Sequence, residues 1–162
     1  MVVKRKLMIA VIGGNHCSAK IARVAEEVGR LIAERGARLV CGGLGGVMEA
    51  AARGAKSAGG ETIGILPGDT WKDANSFIDI PIATGLGYAR NILVVRAADA
   101  VIAINGNYGT LSEVAFSLIE KKPIVSLESW EVDPGIHKAK DSKEAVELVF
   151  RLIGPTESDG ES

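Results

Sequence analysis

Short apolar runs that each stop at glycine constrain this chain more than any other feature. Residues 7–12 (LMIAVI) stop at Gly13-Gly14, and residues 37–41 (ARLVC) at Gly42-Gly43-Leu44-Gly45-Gly46. Residues 100–104 (AVIAI) stop at Asn105-Gly106-Asn107-Tyr108-Gly109. A run that is apolar throughout reads as a strand buried on both faces, and such strands belong to parallel sheets. Residues 61–66 and 123–127 read the same way, and residues 77–80 as a short fourth strand, with a polar loop at 69–76 before it.

Between the runs the period changes from strand to helix. Ile21, Val24, Val28, Leu31 and Ile32 fall on one helical stripe, opened by Ser18 as a cap and closed by Gly36. Residues 47–57, 88–98 and 110–120 read as helices. Residues 130–140 read as irregular. Ser142 is expected to cap a last helix with Ala145, Val146, Val149 and Leu152 on its apolar side. Strands alternating with helices imply right-handed crossovers and an open sheet. The expected fold is therefore α/β: a single-domain Rossmann-like parallel sheet with helices on both faces over residues 1–153. Residues 154–162, small and acidic, read as a flexible tail.

Composition supports one core and removes several functions. The chain has 162 residues, 47% of them hydrophobic, and a net charge of -1. A balanced charge without a basic stripe argues against nucleic acid as the partner. Lys4-Arg5-Lys6 reads as a solvated lead-in to the first strand. No stretch reaches the roughly 18 apolar residues of a membrane span. The basic start and first apolar run break at glycine without a cleavage site, so strand one is the reading and not a signal peptide. Cys17 and Cys41 are too few and too far apart for a zinc site or a disulfide framework. A cytoplasmic protein without metal is the expectation.

The glycine turns carry the chemistry. In an open parallel sheet ligands sit beyond the carboxyl ends of the strands. There Gly13-Gly14, Gly42, Gly43, Gly45 and Gly46, and Gly106 with Gly109 each open a helix. A helix N-terminus offers free N–H groups and the positive end of the helix dipole, both suited to phosphate. None of the turns reads G-x-G-x-x-G or G-x-x-x-x-G-K-[ST], against ordinary dinucleotide binding and P-loop hydrolysis. Thr110 with Glu113 three residues on fits a capping box. A catalytic or sugar-binding carboxylate is the competing reading of Glu113.

At these residues the chain resembles a known family. Residues 42–48, ending in Val47-Met48, look like the glycine-methionine motif of the Lonely Guy proteins, long mislabelled lysine decarboxylases. Gly109-Thr110-Leu111-Ser112-Glu113 looks like the end of their P-G-G-x-G-T-x-x-E motif, and Arg90 lies where they carry a functional arginine. The resemblance runs over residues 7–127. It implies a homodimeric nucleotide-binding protein, or an enzyme that cleaves the N-glycosidic bond of a nucleoside 5′-monophosphate. Mapped here, Glu113 would stabilise the developing charge on the ribose and Arg90 would orient the sugar. Gly106, Asn107, Gly109 and Thr110 would hold the phosphate, with Gly13, Gly14 and Met48 completing the pocket. No cofactor is required for that chemistry, and a bound nucleoside monophosphate or phosphate is expected.

The departures favour binding over turnover. The motif's proline and second glycine are Asn105 and Asn107, and the His and Lys flanking the family arginine are Tyr88 and Asn91. Asn107 can still adopt a left-handed turn, so phosphate binding survives more easily than catalysis. The resemblance extends to molybdenum-cofactor carriers, which keeps a cofactor-carrier reading open, and to DNA-processing protein A, which the charge balance disfavours. His16 and Cys17 after strand one are further candidates to touch a ligand, Asp69 and Asp73 to bind a ribose hydroxyl and Trp71 to cover a base, but loop or structural roles are the favoured reading of these residues, of Asp99 and of His137.

Overall fold

The computed structural model describes residues 4–155, so most of the expected acidic tail, residues 156–162, lies outside the described residues. Seven strands form one sheet: β1 Met8–Gly13, β2 Arg38–Cys41, β3 Thr62–Leu66, β4 Ile80–Ala83, β5 Ala100–Ile104, β6 Ile124–Leu127 and β7 His137–Lys138. Their order is β4-β3-β2-β1-β5-β6-β7, and every pairing is parallel. The helices are α1 Ala19–Glu34, α2 Val47–Ser57, α3 Asn91–Ala97, α4 Tyr108–Ile119 and α5 Ser142–Ile153.

Alternation along each strand builds two cores. Ile9, Val11, Leu39, Cys41, Ile102 and Ile104 point to one face, where α1, α2 and α5 cover them. Ala10, Ile12, Val40, Val101 and Ala103 point to the other, against Val94 of α3 and Val114 of α4. Gly29 and Gly54 allow α1 and α2 to touch through their backbones: a side chain at either would run into the facing helix. Among the described residues no helix is long and apolar enough to cross a membrane.

The chain runs outward from β1 to β4 on one side and from β5 to β7 on the other. The order therefore reverses between β1 and β5. Such a switch point leaves a crevice at the carboxyl ends, because the two following connections diverge to opposite faces.

Several boundaries move from their sequence positions. The fourth strand is Ile80–Ala83, not 77–80. Pro81 hides it in the sequence, but β4 pairs on one side only and an edge strand tolerates proline. Residues 88–90 belong to a 3-10 turn, Gly87–Arg90, and α3 begins after it. Asp141, not Ser142, caps α5, its carboxylate accepting from Glu144 N–H at 2.8 Å; the Ser142 hydroxyl donates to Val24 O. Residues 130–140, expected to be irregular, contain β7. Ser18 caps α1 as expected, and Gly36 follows that helix with φ +76°.

Candidate functional site

The first two glycine turns lock onto each other. Val47 N–H donates to Gly14 O at 3.0 Å and Gly45 N–H to the Asn15 side-chain oxygen at 2.8 Å. Gly46, at φ +60°, lies so close that a side chain there would strike Gly14 O and Asn15. The other edge of the second turn is held by Asn75, whose amide donates to Leu44 O at 2.8 Å. Gly42 lies under the Arg90 guanidinium and the Met48 sulfur, leaving no room for a side chain. These glycines serve close packing, and the first N–H of α2, at Val47, is already used, while those of Met48 and Glu49 have no partner among the described residues.

The third turn differs. Asn105 and Gly106 take φ +49° and +99°, and α4 starts at Tyr108. Asn107 occupies the N-cap position, yet its side chain makes no capping bond. Among the described residues no hydrogen bond uses the N–H of Tyr108, Gly109 or Thr110. Unpaired N–H groups at the positive end of a helix are what an anion binds. The turn itself is fixed from outside: Trp130 Nε1 donates to Asn107 O at 3.1 Å and the Ser129 hydroxyl to Asn105 O at 2.6 Å. The capping box expected of Thr110 and Glu113 does not form, because α4 begins before Thr110. Thr110, Glu113, Val114 and Ser117 instead make a buried stripe along the helix.

All three turns contribute to one cleft of ≈ 220 Å³ at the β1–β5 switch point. It gathers Gly13, Gly14, Met48, Arg90, Asn107, Gly109, Thr110 and Glu113, the greater part of the sequence-predicted site. Gly42, Gly43, Gly45, Gly46 and Gly106 stand behind its lining. A larger depression of ≈ 370 Å³ lies at the amino ends of the strands, beside Arg38 and Lys56. Those cations pair with Glu61 and Asp79, and the depression is remote from the switch point.

Glu113 is only 6% exposed, and no hydrogen bond among the described residues reaches its carboxyl. No fully enclosed side-chain oxygen there lacks a partner, so the carboxyl opens on the cleft. Burial pushes its pKa up to about 8, against the opposing pull of the Arg90 charge. Arg90, 7% exposed, is tied down: Nε donates to Ile65 O at 2.8 Å, one terminal nitrogen to Gly42 O at 3.3 Å and the other to the Asn91 side-chain oxygen. Burial lowers its pKa, with the Glu113 charge acting in the opposite direction.

Sequence reasoning missed Asn91 as a site residue. It is 1% exposed and hands the Arg90 contact on, its amide donating to the Ser112 hydroxyl at 3.0 Å and to Gly109 O at 3.4 Å. Asn15, Leu44 and Tyr88 also line the cleft. The remaining candidates do not. His16, Asp69, Trp71, Asp73 and His137 are exposed. Asp99 accepts from Met8 N–H and pairs with Arg5. Cys17 is half-buried, its pKa raised by desolvation against the pull of Arg53. Cys41 is buried beneath the cleft, and desolvation pushes its thiol up to about 12. No group of three or more His, Cys, Asp or Glu among the described residues is placed to hold a metal ion.

Comparison with known proteins gives three kinds of match. Residues 6–152 fit the model of the SLOG cluster4 family. Over 143 residues the chain is 50% identical to an uncharacterized protein of Archaeoglobus fulgidus, covering 87% of this chain and 93% of that one. Over 122 residues it is 34% identical to the cytokinin riboside 5′-monophosphate phosphoribohydrolase of Mycobacterium tuberculosis, covering 69% of this chain and 65% of the relative. Among solved structures, the molybdenum cofactor binding protein of the phototrophic bacterium Rippkaea orientalis superposes with a TM-score of 0.88 at 37% identity. That match covers 93% of this chain and 99% of the other.

Proposed function

The chain belongs to the SLOG cluster4 family, within the Lonely Guy-like superfamily, and from that premise we propose that it binds a phosphate-bearing small molecule in the β1–β5 cleft. The ligand is a nucleoside monophosphate or a phosphate-bearing cofactor, with its phosphate at the start of α4. One observation carries the reading: among the described residues the first three N–H groups of α4 are unpaired, and two of the residues that carry them, Gly109 and Thr110, line the cleft together with Glu113. A phosphate there would accept from those N–H groups and from the Thr110 hydroxyl. A metal-bearing cofactor fits on the same terms, held through its phosphate and its organic part, since the donor set offers no cluster of metal ligands.

Phosphoribohydrolase activity is the second reading, supported by the name of the Mycobacterium tuberculosis relative and by Glu113 in the cleft. Protonation weighs against it. Burial pushes the Glu113 pKa to about 8, which keeps it largely protonated at neutral pH, and a neutral carboxyl donates a hydrogen bond better than it stabilises a developing cation. Binding without turnover is therefore preferred, by a cytoplasmic homodimer. Titration calorimetry with adenosine monophosphate and related nucleotides, run beside a free-base assay, tests both readings. Binding without base release supports the first, base release supports the second, and failure of every phosphate-bearing ligand to bind rejects both.

A further inference from the structure

We propose that Tyr88 recognises the ring of the ligand: its phenol stacks on a planar heterocycle at the cleft mouth while the ligand's phosphate sits at the start of α4. The inference rests on the phosphate-cleft reading above and adds the ligand's second half, a planar aromatic ring.

Size makes the first argument. The cleft measures ≈ 220 Å³, below the roughly 300 Å³ at which pockets begin to enclose drug-sized ligands. A phosphate and a sugar-sized portion fill such a space, and a ring attached to them emerges at the rim. The side chain at that rim is Tyr88, which lines the cleft and is nevertheless 84% exposed. Leu44 and Met48, the other large apolar side chains of the lining, are half-buried and buried. Tyr88 thus offers the one exposed aromatic face among the cleft-lining residues.

Its position is fixed although its ring is free. Gly87 N–H donates to Pro67 O at 2.9 Å and Ala89 N–H to Leu86 O at 3.2 Å, on either side of it. Two residues on, Arg90 Nε donates to Ile65 O. The ring therefore stands on an anchored backbone with few torsions to order, the condition under which an aromatic contact adds affinity at low entropic cost. Stacking tolerates any flat ring, because it reads the π-face and not the polar edge.

The test compares ligands with and without a ring. Adenosine monophosphate and ribose 5-phosphate are titrated into wild type, Tyr88→Ala and Tyr88→Phe by calorimetry, with oligomeric state followed by light scattering. Tyr88→Ala should weaken the nucleotide by about 5- to 150-fold, the range that stacking of one base represents. It should leave ribose 5-phosphate within twofold, and Tyr88→Phe should retain both affinities. Unchanged nucleotide affinity in Tyr88→Ala overturns the proposal. So does parallel loss of both ligands, with or without a change in oligomeric state, since that marks a structural or interface residue. Wild type that binds neither ligand rejects the phosphate cleft itself, and this inference with it.

Discussion

Arg90 and Glu113 share the floor of one cleft and feel each other's charge, yet they form no salt bridge. The hydrogen bonds of the guanidinium run to Ile65 O, Gly42 O and Asn91, and the carboxyl has none. Glu113 is thus a buried acid whose nearest cation is held by other groups. Desolvation wins, and its pKa rises to about 8.

That shift makes folding depend on pH in a stated direction. The folded pKa of about 8 lies above the ordinary value of 4.5. The unfolded chain releases this proton near 4.5 and the folded chain near 8. The stabilisation is full below the lower value and is lost as pH rises through the upper one. Wild type should lose up to ~1.4 kcal/mol of stability per pH unit from this group across that window. Glu113→Gln should remove that slope. Urea midpoints of both proteins at pH 5, 6.5 and 8 measure the difference; parallel curves would refute a buried, protonated Glu113.

Arg90 should behave as a frame residue as well as a lining one. Removing it leaves two buried carbonyls without donors, at ~1–3 kcal/mol each. Arg90→Ala should therefore lower stability by about 3 kcal/mol or more. Arg90→Lys should recover only part, because an ammonium cannot reproduce the fork that reaches Ile65 and Gly42 together. Denaturant unfolding tests this. A lysine variant as stable as wild type would mean that the guanidinium contacts add nothing to the fold.

Much of this architecture was legible in the sequence, and the failures have physical reasons. Continuous apolar runs located β1, β2, β3, β5 and β6, because strands buried on both faces carry no polar alternation to confuse the reading. β4 misled because an edge strand is bounded by one ladder only and so admits Pro81. The glycine turns marked the ligand edge, but not how many N–H groups each leaves free. Spacing alone does not reveal that Gly14 O takes the first N–H of α2, at Val47, while the first three N–H groups of α4 are all unpaired among the described residues. Glu113 suited both a capping box and a site carboxylate; the start of α4 at Tyr108 excludes the capping box and sets Glu113 on the buried stripe. The sequence marks Asn91 only as a departure from the family's flanking Lys and not as a site residue, because its role comes from partners 18 and 21 residues away.

Positive-φ glycines should separate into two classes. Gly36 and Gly46 take φ +76° and +60°, but only Gly46 has backbone pressed against it. Gly36→Ala should cost about 1 kcal/mol, the conformational penalty alone. Gly46→Ala must also push the first two turns apart, and should cost at least twice as much while weakening ligand binding. Paired unfolding and binding measurements check this. Equal effects at the two positions would show that the turn-to-turn contact is not tight.

The edge of the sheet predicts assembly. Ile80 and Ile82 of β4 and nearby Leu86 are exposed, on the side of the sheet where β4 has no further neighbour. A second copy of the chain would cover this apolar surface. Light scattering at micromolar concentration should report a dimer for wild type, and Ile82→Asp should shift it to monomer. A monomeric wild type would end the homodimer reading.

The protonation state of Glu113 also separates carrier from enzyme. If the protein cleaves a nucleoside monophosphate through a carboxylate at Glu113, only the ionised form works, and in the free protein that form grows in as pH approaches about 8. The kcat/KM for base release should then rise tenfold per pH unit below that value and level off above it, since this ratio reports the free enzyme's pKa. Glu113→Gln should abolish release and leave the affinity for adenosine monophosphate within a few-fold, because the carboxylate would act mainly in the transition state. A carrier predicts a different pattern. Base release is absent at every pH, and nucleotide binding weakens as pH rises through 8, since an ionised Glu113 repels the phosphate that its protonated form tolerates. Glu113→Gln, unable to ionise, should bind with no such decline. Affinity and base release measured from pH 6 to 9 on both proteins distinguish the two readings, and pH-independent binding by wild type would contradict the carrier reading.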